Sequence, residues 1–224
     1  HDALPISTIP GRESPDMDTR GIHQLISGDR VDHYQIIANR FQQTIETIAM
    51  SVDQLADPIA RGSELMTQVL LNDGKIFCCG HGVDAATSQL FSSLLLQNPQ
   101  TERPALPAFN LSAGAAAGDS AAHDNYARQL RALASDSDLL LVIDSGPGDA
   151  HCLAALQATR EINMPVVVMS NAQNQAATDV LNAGDINIQI TAAHRTQCVE
   201  MLTMVTISMC QLIETSLFGD YDQE

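Results

Sequence analysis

Three short runs of this chain are apolar almost without interruption: "KIFCC" from position 75, "DLLLVID" from 138 and "MPVVVMS" from 164. A strand with one wet face alternates apolar and polar residues; these runs do not, so each must be covered on both faces. Each is followed by a turn and then by a helical pattern. Apolar strands alternating with helices imply a parallel sheet with helices on either side. "RPALPAFNLS" and "INIQI" supply two more strands. The expected fold class is therefore α/β, a three-layer αβα sandwich around a five-stranded parallel sheet. Helices are expected over about 85–96, in "NYARQLRAL", in "GDAHCLAALQATREI", weakly near 176–181, and from about 195 to 218.

Ahead of the sheet the pattern is helical. Tyr34, Ile37, Phe41, Ile45, Ile48, Val52 and Leu55 recur every three or four residues and mark one face of an amphipathic helix. "DPIARGSELMTQVLLNDG" reads as a second helix, with Pro58 in its first turn and Asn72-Asp73-Gly74 closing it. These two long helices have no sheet of their own and must pack on the later domain or on a second subunit. Residues 1–30 show no periodicity and are expected to be a disordered or non-native leader, with Met17 as the expected native start. A single domain is expected over 31–224.

Charge and cysteine usage narrow the function. The chain carries 27 acidic against 11 basic side chains, a formal net charge of −16. Duplex binding relies on clustered Lys and Arg, so direct contact with nucleic acid is excluded. No apolar run approaches the length of about 18 residues that marks a membrane span. The cysteines Cys78, Cys79, Cys152, Cys198 and Cys210 form neither a CxxC pair nor a spaced Cys/His set. They read as reduced, buried thiols of a cytoplasmic protein. Cys78, Cys79 and His81 lack a closing pair for a tetrahedral ion, so no metal and no cofactor is expected.

Ligands of such sheets bind beyond the carboxyl ends of the strands, which singles out two turns. In "CCGHGVDAATSQ", Gly80, His81 and Gly82 precede Asp84; in "IDSGPGDAH", Asp144, Ser145 and Gly146 precede Asp149. The glycines and Ser145 suit an anion cradled by backbone N–H groups. The aspartates do not. Asp84 and Asp149 each stand where a carboxylate can cap the following helix and compete with a phosphate for the same donors. His81 and His151 are weighed as acid–base groups, His151 without an obvious carboxylate partner. Ser145 does not lie in a G-x-S-x-G elbow.

Several segments together resemble the SIS (sugar isomerase) family, in its branch of sedoheptulose 7-phosphate isomerases and DnaA initiator-associating proteins. "LLNDGKIFCCGHG" resembles the family's helix end, strand and G-N-G turn. "TERPALPAFNLS" resembles its E-R-P-x-L-P-A connection, and "RQLRALASDSDLLLVI" the approach to its S-T-S-G-N-S loop. The resemblance covers about Val31 to Phe218 and implies a flavodoxin-like sandwich that assembles as a homotetramer, its N-terminal helices packed between subunits. It also implies losses. Asp84 stands at the phosphate-binding Ser, and Ser145 is the one hydroxyl retained in the second loop. Leu90 and Leu94 stand where the isomerases have His and Glu. Val199 and Ile207 stand where they have Gln and His.

Leucine, valine and isoleucine neither move protons nor polarise a carbonyl, so no catalytic residue is assigned. The expected function is a non-catalytic scaffold that binds the replication initiator DnaA and regulates initiation of chromosomal replication. Leu217 and Phe218, ahead of an acidic tail, are the expected partner anchors. The alternative is a phosphoheptose isomerase or a phosphosugar-binding regulator, with Gly80, His81, Gly82, Asp84, Asp144, Ser145, Gly146 and Asp149 as the residual pocket.

Overall fold

The computed structural model describes residues 32–98, 102–112 and 124–219; the expected leader lies outside them. The chain divides into two units, 1–42 and 43–224. In the first, Asp32 accepts a hydrogen bond from the Gln35 amide at 3.2 Å and caps the start of a helix. Tyr34, Ile36, Ile37 and Phe41 on that helix are exposed.

The two expected N-terminal helices run as one. Helix α1 spans His33–Leu71 and passes through Pro58. An interior proline removes a ladder hydrogen bond and costs about 3 kcal/mol in a helix, which is why the sequence reads as a break. Buried Ser51 and Leu55 precede Pro58, and buried Gly62, Ser63, Met66 and Val69 follow it. Burial on both sides offsets the local loss and carries the helix through. The stop is where expected: Asp73 takes a left-handed φ of 60° and the Gly74 amide returns to the Val69 carbonyl at 2.9 Å. A Cβ at Gly74 would lie 2.2 Å from the Ser137 carbonyl oxygen, so only glycine fits.

From there strand and helix alternate as read: β1 (Ile76–Gly80), α2 (Ala85–Leu96), β2 (Ala108–Asn110), α3 (Asn125–Leu133), β3 (Leu139–Asp144), α4 (Ala150–Glu161), β4 (Val166–Asn171), α5 (Gln175–Thr178), β5 (Ile186–Ile190) and α6 (Arg195–Phe218). The five strands form one sheet in the order β2-β1-β3-β4-β5, with every neighbouring pair parallel. Strand alternation then divides the apolar residues between two cores. One face buries Ile76, Cys78, Leu141, Ile143 and Val167 against α1, α2 and α6; the other buries Phe77, Cys79, Leu140, Val142 and Val168 against α3 and α4.

Helix α6 corrects one reading. By length and composition it is apolar enough to cross a membrane. Here it is a core helix, with Cys198, Met201, Leu202, Val205, Met209 and Ile213 buried.

Two buried charges hold the edges of this sandwich. Arg103, in the connection from α2 to β2, donates to the Leu94 and Leu95 carbonyls at the end of α2, each at 2.8 Å. Its Nε also pairs with Glu214 of α6, whose other oxygen accepts from Asn98. Just ahead of β3, Asp138 accepts from the amides of Lys75 and Ser135, each at 2.8 Å, and from the Lys75 ammonium at 3.2 Å. Burial alone would raise the Asp138 carboxyl, but these bonds outweigh it and hold it below its ordinary value. A depressed folded-state value stabilises the fold above the unfolded value and is lost as pH falls through the folded one. Asp138→Ala is therefore expected to lower the unfolding free energy by about 1–3 kcal/mol at neutral pH. In urea unfolding at a series of pH values, the gap from the unaltered chain should close below about pH 4.

Candidate functional site

The chain order of the sheet places a switch point between β1 and β3: the connection from β1 leads outward to β2, and that from β3 leads the other way to β4. Crevices for ligands form at such points, outside the carboxyl ends of the strands. Both glycine turns lie there. Gly80 closes β1 so tightly that a Cβ would sit 2.5 Å from the Asp84 carbonyl oxygen, and Gly82 adopts a left-handed φ of 62°.

The three aspartates have different duties. Asp84 was expected to cap α2, and it does not: its side chain makes no capping bond. A 3₁₀ turn over Gly82–Asp84 feeds directly into α2, leaving Asp84 with helical φ and ψ of −77° and −15°. Its buried carboxylate reaches across to the second loop instead. Oδ2 accepts from the Ser145 amide at 3.1 Å, from the Ser145 hydroxyl at 3.0 Å, and from Arg195 Nη2 at 3.3 Å. Arg195 Nε also donates to the Ser145 hydroxyl oxygen at 2.9 Å. The other oxygen, Oδ1, is buried with no hydrogen-bond partner among the described residues. Burial raises the Asp84 carboxyl above its ordinary value, while the bonds from Ser145 and Arg195 oppose that rise.

Asp144 is buried and fully used. Its oxygens accept from the amides of Gly146 at 2.9 Å and Asp149 at 2.8 Å and from the Asn174 side chain at 2.9 Å, which fixes the second loop.

Asp149 is the cap that was expected. Oδ1 accepts from the His151 and Cys152 amides at 2.9 and 3.3 Å. Its second oxygen meets His81 Nδ1 at 2.9 Å, and His151 Nδ1 lies 3.2 Å from the first. The absence of a carboxylate partner for His151 is thus corrected; the partner is two residues away, hidden from helical spacing rules because Asp149 precedes the helix. Burial would raise the Asp149 carboxyl, yet the bonds from His81 and the helix amides hold it below its usual range. The two imidazoles stack with ring centroids 4.0 Å apart. Tyr126 meets His151 in an edge-to-face arrangement and donates from its hydroxyl to the Gly80 carbonyl at 2.8 Å.

Beside this cluster opens a cavity of about 500 Å³, with Gly80, His81, Gln89, Asn110, Ser112 and Tyr126 in its lining and no Lys or Arg among the described residues around it. A second, of about 270 Å³, lies beyond the second loop and is lined in part by Ser145, Asn171, His194 and Arg195. Arg195 and Asn174 escaped the sequence reading. The one available signal was an arginine just after the last strand in a chain with few basic residues.

The remaining sequence candidates lie elsewhere. Cys78 and Cys79 belong to opposite cores and cannot share an ion with His81. Leu90, Leu94 and Val199 are half-buried, and Ile207 is exposed. Leu217 and Phe218 are half-buried against the core, with the Arg103 guanidinium 5.9 Å from the Phe218 ring centre.

Comparison with known proteins gives a consistent picture. A family model described as "SIS domain" matches residues 40–171. The DnaA initiator-associating protein DiaA of Photorhabdus laumondii is 34% identical over 188 residues, covering 81% of this chain and 95% of that protein. The phosphoheptose isomerase of Halorhodospira halophila is 34% identical over 194 residues, covering 84% and 98%. Among solved structures, a phosphoheptose isomerase from Francisella tularensis superposes with a TM-score of 0.74 at 26% identity, covering 81% of this chain and 98% of that one.

Proposed function

This chain belongs to the SIS-domain family, and from that premise we propose that it is a non-catalytic, cytoplasmic scaffold that binds the replication initiator DnaA and regulates the start of chromosomal replication. The observation that carries the reading is the Asp84 carboxylate. It occupies the Ser145 amide, the Ser145 hydroxyl and the Arg195 guanidinium, the donors with which this crevice would hold a phosphate. A phosphosugar would have to displace a buried carboxylate and then sit beside it. Apolar Leu90, Leu94, Val199 and Ile207 at the family's proton-moving and metal-binding positions argue the same way. The relatives named phosphoheptose isomerase keep that activity as the competing reading.

A scaffold needs an oligomer and an anchor. The exposed apolar residues Ile45, Met50 and Val52 along α1 suit burial against another copy, in a homotetramer. The acidic surface suits a basic partner, and several weak contacts from one tetramer add up. Leu217 and Phe218, at the end of α6, are the proposed contact. Light scattering should give a tetramer. Purified DnaA should be recovered on the immobilised full chain, and Leu217→Ala with Phe218→Ala should reduce recovery roughly tenfold, the loss of about 1.4 kcal/mol. A folded double variant that recovers DnaA undiminished would remove this end of α6 from the contact.

A further inference from the structure

We propose that His81, Asp149 and His151 form a binding site for a divalent ion of the zinc class. The inference stands apart from the scaffold reading, which neither requires nor forbids an ion. One ligand atom from each residue can be chosen so that all three lie within 4.8 Å of one another. His81 Nδ1 lies 2.9 Å from Asp149 Oδ2, and His151 Nδ1 lies 3.2 Å from the other oxygen, Oδ1. Zinc bonds near 2.0–2.2 Å in a tetrahedron place neighbouring ligands about 3.4 Å apart; His81 and Oδ2 are already near that span, and the 4.8 Å envelope of the three residues closes to it by side-chain rotation. Three different elements converge to hold it: the turn after β1, the residue that caps α4, and the first turn of α4 itself.

The donor chemistry selects the ion. Two imidazoles and one carboxylate suit zinc and its neighbours, whereas magnesium and calcium require sets built from oxygen. Ligation through Nδ1 requires each imidazole to carry its proton on Nε2, since the ligating nitrogen must be unprotonated. An ion has to lie near the plane of each imidazole, and stacked rings do not offer a common plane. His81 is the ring that turns, because its side chain is 38% exposed and borders the large cavity, while that of His151 is 11% exposed. Asp149 can serve without abandoning α4: Oδ1 keeps the helix amides, and Oδ2, which among the described residues meets His81, faces the ion.

The site differs from the positions of Leu90, Leu94, Val199 and Ile207, so it restores nothing that those residues lost. Three protein ligands leave a coordination position open. It would face the cavity that His81 lines, where the absence of Lys and Arg among the described lining residues favours an uncharged hydroxyl or carbonyl ligand.

The test is competition for Zn²⁺ between a chromophoric chelator and the metal-stripped full chain. One ion per chain should bind at micromolar free zinc or below. His81→Ala and Asp149→Asn should each weaken that ion at least tenfold; asparagine retains the cap, so the second variant separates ligation from folding. In nuclear magnetic resonance spectra, zinc should shift the imidazole signals of His81 and His151 and leave that of His194 in place. Equal affinity in both variants, shifts confined to other histidines, or displacement of zinc by millimolar Mg²⁺ would overturn the assignment.

Discussion

Arg103→Ala is expected to lower the stability of the fold by about 3–5 kcal/mol, the cost of breaking a buried ion pair by removing one partner. The arginine side chain is 2% exposed and that of Glu214 11% exposed. Its loss takes the guanidinium away from the buried Glu214 carboxylate, frees the Leu94 and Leu95 carbonyls, and removes the cation above Phe218. These effects fall on the junction of α2, the strand connection and α6, so they act together. Chemical denaturation of the variant should show the midpoint falling with little change in slope. Arg103→Ala paired with Glu214→Leu should recover part of the loss, because the stranded charge is then gone. A single variant within 1 kcal/mol of the unaltered chain, by the ordinary scale of surface substitutions, would place the pair among dispensable ones.

Asp84→Ser is the second large effect, and it concerns binding. Isothermal titration of the unaltered chain with sedoheptulose 7-phosphate should give no heat. A phosphate about 4 Å from an ionised carboxylate is repelled by about 4 kcal/mol at an effective dielectric of 20. Replacing Asp84 by serine removes that repulsion and releases the Ser145 amide and hydroxyl and the Arg195 guanidinium. Affinity for the sugar phosphate should rise on the order of 100-fold or more by that repulsion scale, into the measurable millimolar range. The substitution should be mild for folding. It forfeits three hydrogen bonds, but it also removes a buried carboxyl whose raised folded-state value makes its ionised form unfavourable, and whose Oδ1 has no hydrogen-bond partner among the described residues. The sign follows: a raised carboxyl favours the fold most at low pH and loses that contribution as pH rises through the folded value. Micromolar binding by the unaltered chain would sink the blocked-crevice reading.

These two residues also mark how far the sequence could be read. The strands were legible because a strand buried on both faces has no polar alternation to confuse it: β3 falls within its apolar run, and β1 and β4 each extend one residue past theirs. Helix ends were legible where local chemistry decides them, as at Asp149 and at Asp73-Gly74. The single helix α1 was not, because a propensity rule at Pro58 lost to burial on both sides of it. Asp84 was misread for a related reason. Capping preference assumes that the chain enters the helix from an extended residue, whereas here a 3₁₀ turn leads in and turns the carboxylate toward Ser145. Arg195 lies 111 positions from Asp84, and no spacing rule links residues so far apart; only the fold brings them together. The histidine pair was visible as two separate candidates and became a cluster only when both loops met at the strand ends.

The adjacent cysteines on β1 have a redox consequence. Residues next to each other on a paired strand point to opposite sides, and Cys78 and Cys79 accordingly lie in different cores. Their sulfurs are kept apart by the sheet itself, so they cannot close into a vicinal disulfide while β1 remains between β2 and β3. Burial also raises the Cys78, Cys198 and Cys210 thiols, the last two to about 12, so the nucleophilic thiolate is scarce. The folded chain is thereby a poor substrate for oxidants despite its five thiols, and a cross-link between Cys78 and Cys79 would record that the strand had left the sheet.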